Sequence, residues 1–411
     1  MAAQTLTPSA NDPSHGRTLA HVQPGRGGES HKLLIVVLLV ALVYAAVIEL
    51  SVRHYGGNLS SLIAVGAQAK ETEPAGLGHH VVVFRKSDGY DGQTFYYVAD
   101  DPFLQHRAFR DPFRYQRIGY PLAIWAASFG RREWRPTAMV AVNYVADLAV
   151  ALLSGLIIIS SATGASIWLA LPCAINPSLL IATQLDLAEP MAMALCLAGL
   201  LAFLRRRVAW AMAAFAFAML TREVSILFIV PLIASELARK RFKQTALIAL
   251  AIVPYLVWQA VLLESFGHSG SAASQGNFDL PFVGIRAVLA AAHHTSIKQA
   301  IVHQGSIVAV IVFVCLCLVV AVQQMRRKFD VVVGSMSLHA AAALFAAPGI
   351  WLAFTSAARV FGGLYPLTVL SISRHRRLSL ALLVGASILL TVLTVIRSLI
   401  ISPTLAYYLT S

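Results

Sequence analysis

Long apolar runs with at most one charged residue recur along this chain, and they limit its fold more than any single motif does. A bilayer core about 30 Å thick requires roughly 20 mostly apolar residues in a helix that crosses it. Nine runs meet or approach that length: Leu33 to Leu50, Thr137 to Ala162, Ala165 to Leu185, Pro190 to Leu204, Thr245 to Leu263, Ile301 to Val322, Val331 to Leu352, Ser356 to Ser373 and Leu378 to Ile400. A further apolar stretch between Arg207 and Arg239 is interrupted only by Thr221, Arg222 and Glu223. It reads as two short helices meeting at that polar break. With 58% hydrophobic and 12% charged residues and a mean hydropathy of +0.71, the chain is not a soluble enzyme. The expected fold is all-α: a polytopic integral membrane protein with about 11 transmembrane helices.

Charge then orients the spans. The chain carries 32 Lys and Arg against 19 Asp and Glu, a formal net charge of +13. Four basic clusters interrupt the runs: Arg205 to Arg207; Arg239, Lys240, Arg241 and Lys243; Arg326 to Lys328; and Arg374, Arg376 and Arg377. The positive-inside rule makes them cytoplasmic. With Arg17, Arg26 and Lys32 they hold 16 of the 32 basic residues, so topology accounts for half the positive charge and no nucleic-acid partner is needed. Parity then requires that Ile118 to Gly130, too short to span, lie in the interface. The resulting division is a polar cytoplasmic tail over 1–32 without a cleavable signal, a first span over 33–50, an outer segment over 51–136 with interfacial helices, a helical bundle over 137–401 and a short tail over 402–411. Cys173, Cys196, Cys315 and Cys317 fall within spans and lack metal or redox spacing.

The outer segment of about 85 residues holds 11 basic and 8 of the 19 acidic residues, which makes it the chain's densest polar region. Asp88-Gly89 and Asp91-Gly92 are turn dipeptides that hold short carboxylates on exposed backbone, and Gln93 to Ala99 reads as an interfacial helix anchored by Phe95, Tyr96 and Tyr97. Asp91, with Asp88 as reserve, suits a general base; plain turns are the competing reading. Asp186 and Glu189 fall in the next outer turn and could share a divalent cation with Asp91, position a hydroxyl nucleophile, or simply favour a helix start. Arg222 and Glu223 break an apolar run at a depth where ionisable residues are costly; Arg222 suits a lipid phosphate or a structural pair, and Arg359 is a second candidate of that kind. Arg110, Arg114 and Arg117 would form one basic stripe if helical. Gln93, Arg117 and Tyr120 complete the candidate substrate-binding set with Arg222 and Arg359. Asn143 and Asp147, one turn apart, read as an interhelical hydrogen-bonding pair, and the adjacent His293 and His294 diverge too much to share a metal.

GYDGQTFYY at Gly89 to Tyr97, RYQRIGYP at Arg114 to Pro121, DLAEP at Asp186 to Pro190 and LTRE at Leu220 to Glu223 together resemble the GT-C superfamily of polytopic glycosyltransferases. In particular they are similar to a bacterial group associated with cell-surface glycopolymer formation. The resemblance implies a polyprenyl-phosphate-linked sugar as donor, a glycan, lipid or protein as acceptor, and an active site on the outer face of the bacterial cytoplasmic membrane. It implies a catalytic acid at Asp91 and a second acidic site at Asp186 and Glu189. Many relatives have two adjacent acids where this chain has Asp91-Gly92, so a metal held by Asp91, Asp186 and Glu189 stays open. A flippase for a lipid-linked glycan would show two similar halves, and no counterpart of the long outer segment occurs in the second half. A non-catalytic assembly subunit is the third alternative.

Overall fold

A computed structural model describes residues 26–68, 81–106, 109–161, 164–273, 275–291, 304–327, 329–375 and 378–401. The tails at 1–25 and 402–411, His293, His294, Lys328, Arg376, Arg377 and the start of the run at Ile301 lie outside them. The described chain is all-α apart from one short pair of parallel strands, β1 (Val65–Gly66) and β2 (Val83–Phe84).

The first helix, α1 (Arg26–Val52), shows how these sequences partition. Its 27 residues rise about 40 Å. Val36, Val40, Tyr44 and Val47 are buried against the rest of the chain, while Leu34, Leu38 and Leu42 are more than half exposed. A helix apolar on both its packed and its outward face belongs in lipid. Four more helical stretches are long and apolar enough to cross a membrane: Arg132–Ile159, Phe242–Phe266, Gly305–Met325 and Leu378–Ser398. The run Ala165 to Leu185 is not one straight span; its two helical pieces meet at 47° around Asn176 and Pro177. Pro177 lacks an N–H, and the Asn176 side chain caps the second piece by accepting from Leu179 N at 3.2 Å. Glu189–Leu204, Val208–Thr221 and Val331–Leu344 are shorter apolar helices. The protein is therefore an all-α multi-pass membrane protein.

Seven further helices place the site: α2 (Asp91–Val98), α3 (Gly119–Ala127), α4 (Arg135–Ile159), α5 (Ala170–Ala174), α6 (Pro177–Gln184), α7 (Glu189–Leu204) and α8 (Val208–Thr221), followed by α9 (Ile226–Ala238). The polar break in the run from Arg207 to Arg239 forms as expected. Arg222 is extended (φ −152°, ψ 125°), and Glu223–Ser225 makes a single 3₁₀ turn before α9. Two basic clusters meet at one end of the bundle, where the buried Glu236 pairs with Arg206, Arg239 and Arg241 at 3.2–3.5 Å. Arg374 likewise pairs with Asp330 at 2.8 Å.

The outer segment departs from the interfacial arrangement expected of it. Phe95, Tyr96 and Tyr97 do not anchor α2 in a lipid interface; all three are buried, with Phe95 edge-on to Tyr120 at 5.3 Å. Hydrophobic burial against α3 and the 59–63 turn outweighs the interfacial preference of aromatic rings. The exposed aromatics are instead Phe103, Trp125, Phe129 and Trp134, around the short α3 and the entry to α4. Arg110, Arg114 and Arg117 do not share a helix, because the only regular structure there is the 3₁₀ turn Pro112–Arg114.

Candidate functional site

Three motifs far apart in the chain converge on one chain of charges. Arg359, in the helix Phe354–Val360, reaches Asp91 Oδ2 with both terminal nitrogens at 3.2 and 3.3 Å. The same guanidinium pairs with Glu189 Oε1 at 3.0 Å, and Arg222 Nη1 holds that same oxygen. Asp91, Arg359, Glu189 and Arg222 thus alternate in sign along one line. Arg359, Glu189 and Arg222 are buried, whereas the Asp91 side chain keeps 35% of its surface exposed. Beside them, Arg117 grips Glu223 in a two-bond fork at 2.7 and 3.0 Å, the geometry in which a guanidinium binds a carboxylate best.

Local structure sets each of these positions. Asp91 is the first residue of α2, not a residue of an exposed turn, so its carboxylate sits at a helix N-terminus. The turn falls one dipeptide earlier, where Gly89 has φ +78°. Gly92 answers a different need: a Cβ there would lie 2.4 Å from Leu185 O and 2.7 Å from Ile63 O, both backbone atoms. The start of α2 therefore abuts the turn after α6, and a second acid beside Asp91 has no room. Gly92→Ala is expected to cost about 1–3 kcal/mol, because neither carbonyl is the free end of a side chain. Thermal unfolding of the purified variant in detergent checks this; a wild-type melting temperature would contradict the close packing.

Burial alone would raise the Asp91 carboxyl, but Arg359, and behind it Arg117 and Arg114, hold it below the ordinary carboxylate range. Glu223 is neutralised by the Arg117 fork. Asp91 is ionised at neutral pH.

The other candidates fall elsewhere. Asp88 is exposed on the loop before α2. Both ends of the Gln93 side chain are spent on backbone, Oε1 accepting from Gly66 N at 3.1 Å and Nε2 donating to Asp88 O at 2.8 Å. Gln93 therefore braces the loop that carries Asp88 and Gly89. Tyr120 is fully buried, and its hydroxyl donates to Met139 O and accepts from Asn143 Nδ2 at 2.8 Å. Its hydroxyl is thus taken up by bonds within the protein. Asn143 and Asp147 do not bond to each other; Asn143 turns to Tyr120 and Asp186, and Asp147 to Thr183 Oγ1 at 2.8 Å.

Asp186 and Glu189 separate despite lying three residues apart. Asp186 has φ +47° in the turn before α7, which aims its side chain at Asn143, while Glu189 opens α7 and turns to the arginines. A metal held by Asp91, Asp186 and Glu189 is thus not what the chain builds. A guanidinium stands between Asp91 and Glu189, and among the described residues no three His, Cys, Asp or Glu side chains surround a common point. The donor set suits an anion better than a cation.

A cavity of about 40 Å³ opens beside this line. Glu189, Arg222 and Arg359 supply its charged wall, and Met193, Phe228 and Val360 much of the apolar remainder. Asp91 does not line it, so Arg359 has Asp91 on one side and the cavity on the other. Sequence reasoning missed His339, which also lines the cavity. Its Nδ1 lies 2.8 Å from Ser335 O, and its ring packs edge-on against Phe228. A lone histidine in an apolar helix carries no motif by which it could be found.

The chain matches no protein-family model, no curated protein and no solved structure.

Proposed function

We propose that this protein is a membrane glycosyltransferase that moves a sugar from a polyprenyl-phosphate-linked donor to an acceptor at the outer face of a bacterial cytoplasmic membrane, in cell-surface glycan assembly. The observation that carries this reading is the line Asp91, Arg359, Glu189, Arg222, in which an ionised, partly exposed carboxylate stands beside buried arginines at a cavity in a membrane protein. Such a line offers the two things the transfer needs. Asp91 accepts the proton of an acceptor hydroxyl as that oxygen attacks the anomeric carbon. Arg359 and Arg222 face the negative charge that gathers on the departing lipid phosphate, in surroundings where water screens it poorly. The layout of about 11 crossings and the GT-C fold belong to this proposal, as does a cytoplasmic N-terminus.

Arg359 limits how strong a base Asp91 can be in the resting protein. Proton transfer therefore accompanies attack on the sugar, and Asp91 orients the hydroxyl beforehand. When a phosphate enters, it competes for the guanidinium and loosens the pair with Asp91.

The test is transfer itself. Purified protein in proteoliposomes, supplied with a radiolabelled polyprenyl-phosphate sugar and an acceptor fraction from the cell envelope, is expected to pass label to the acceptor. Movement of the lipid-linked sugar across the vesicle bilayer without transfer would overturn the reading in favour of a flippase, and neither activity would favour an assembly subunit.

A further inference from the structure

A buried polar seam between α4 and α6 takes no part in the transfer chemistry described above. Asn143 Oδ1, Asp147 Oδ1 and Asp186 Oδ2 are buried there with no hydrogen-bond partner among the described residues. All three residues are fully buried. Asn143 Nδ2 has two hydrogens: one serves Tyr120 at 2.8 Å, and the other points to Asp186 Oδ1 at 3.5 Å. Glu189, three residues on, holds two arginines, but no basic side chain among the described residues lies within ion-pair distance of Asp186. Tyr120 of α3, which shares Asn143 with Asp186, is faced by Asp186, by Glu189 of α7 and by Asp147 of α4, and Tyr44 of α1 faces Asp147. None brings a positive charge.

An ionised carboxylate at zero exposure, with one long amide contact, is an expensive arrangement. A protonated carboxyl adds a donor where the structure lacks one, and the amide already facing Asp186 is that of Asn143, whose own oxygen lacks a partner. The position matters because the Asp186 backbone is left-handed (φ +47°), a conformation that a residue with a side chain keeps only under restraint. Leu187 N closes the turn onto Ala182 O at 2.9 Å, and the Leu185 carbonyl of the same turn abuts Gly92, next to Asp91.

We propose that Asp186 carries a proton at neutral pH and donates it from Oδ2 to Asn143 Oδ1, closing an acid–amide pair that fixes the 185–187 turn and thereby positions Asp91. Asp186 is a positioning residue, not a metal ligand or a base. The positioning half rests on the transferase reading; the protonated acid stands without it.

Infrared difference spectroscopy on the full chain in detergent, wild type minus Asp186→Asn at pH 7, is expected to show the carbonyl stretch of a protonated carboxylic acid, shifted in D₂O. No such band overturns the proposal, whether or not any transfer is detected. In the transfer assay Asp186→Asn, whose amide can still donate to Asn143, keeps kcat within about threefold of wild type. Asp186→Ala lowers kcat about 10–100-fold with KM nearly unchanged, since the base is displaced and the donor site is not. An Asp186→Asn variant as slow as Asp186→Ala overturns the positioning role. Should Asp186→Ala fail to fold, the infrared band and the Asp186→Asn rate still decide.

Discussion

Asp91→Asn is expected to lower transfer about 10²–10⁴-fold while leaving the protein folded. The amide keeps an oxygen for Arg359 and fits the same space, and the site's buried ion pairs do not depend on Asp91 alone. What it loses is the ability to take a proton from the acceptor. Asp88→Asn is the matched control: Asp88 is exposed three residues away, and its substitution is expected to change the rate little. The pH profile supplies an independent check. Because Arg359, Arg117 and Arg114 depress the Asp91 carboxyl, it stays ionised as pH falls from neutrality. The acid limb of activity should therefore lie below the ordinary aspartate value of about 3.9. Full activity in both Asp91→Asn and Asp88→Asn would overturn the assignment.

Arg359→Met is expected to destabilise the protein by about 3 kcal/mol, at the lower end of the cost of breaking a buried ion pair. The substitution keeps much of the side chain's bulk and removes the one cation that Asp91 and Glu189 share. Two conditions hold the figure at the low end. Arg222 still neutralises Glu189, and Asp91, at 35% exposure, is partly screened by solvent. Adding Glu189→Gln to Arg359→Met should deepen the loss, because it leaves the buried Arg222 without the carboxylate it pairs with. Thermal unfolding of the four proteins of this double-mutant cycle measures it. Equal melting temperatures for wild type and Arg359→Met would show that the pair contributes nothing to stability. Transfer should also fall, since the cation facing the departing phosphate is gone.

Much of the site was legible as residue types, and less of it as contacts. The polar interruption at Thr221 to Glu223 stands out in an apolar run, and the chain breaks into two helices there. Asp91 stands out as an acid in a dense polar segment. The pairing of Asp91 with Arg359 does not, because the two lie 268 residues apart and Arg359 is one arginine among many. Gln93 and Tyr120 sit in the right motifs, yet backbone groups and Asn143 occupy them. A motif shows that a residue is needed without showing whether it faces the substrate or supports what does.

Sequence alone determined that this protein lives in a membrane, since apolar runs of this length have no comparable use in water. It also determined where one run breaks, because the charged Arg222 and Glu223 interrupt a helix wherever it packs; the bend at Pro177 emerged only in the fold. Only the tertiary structure decided what the acids do. Asp186 and Glu189 are near neighbours in sequence, but one left-handed residue sends the first to an amide and the second to two arginines. The physical reason is that a buried charge is tolerable only beside its opposite, and in a folded helical bundle that opposite comes from another part of the chain.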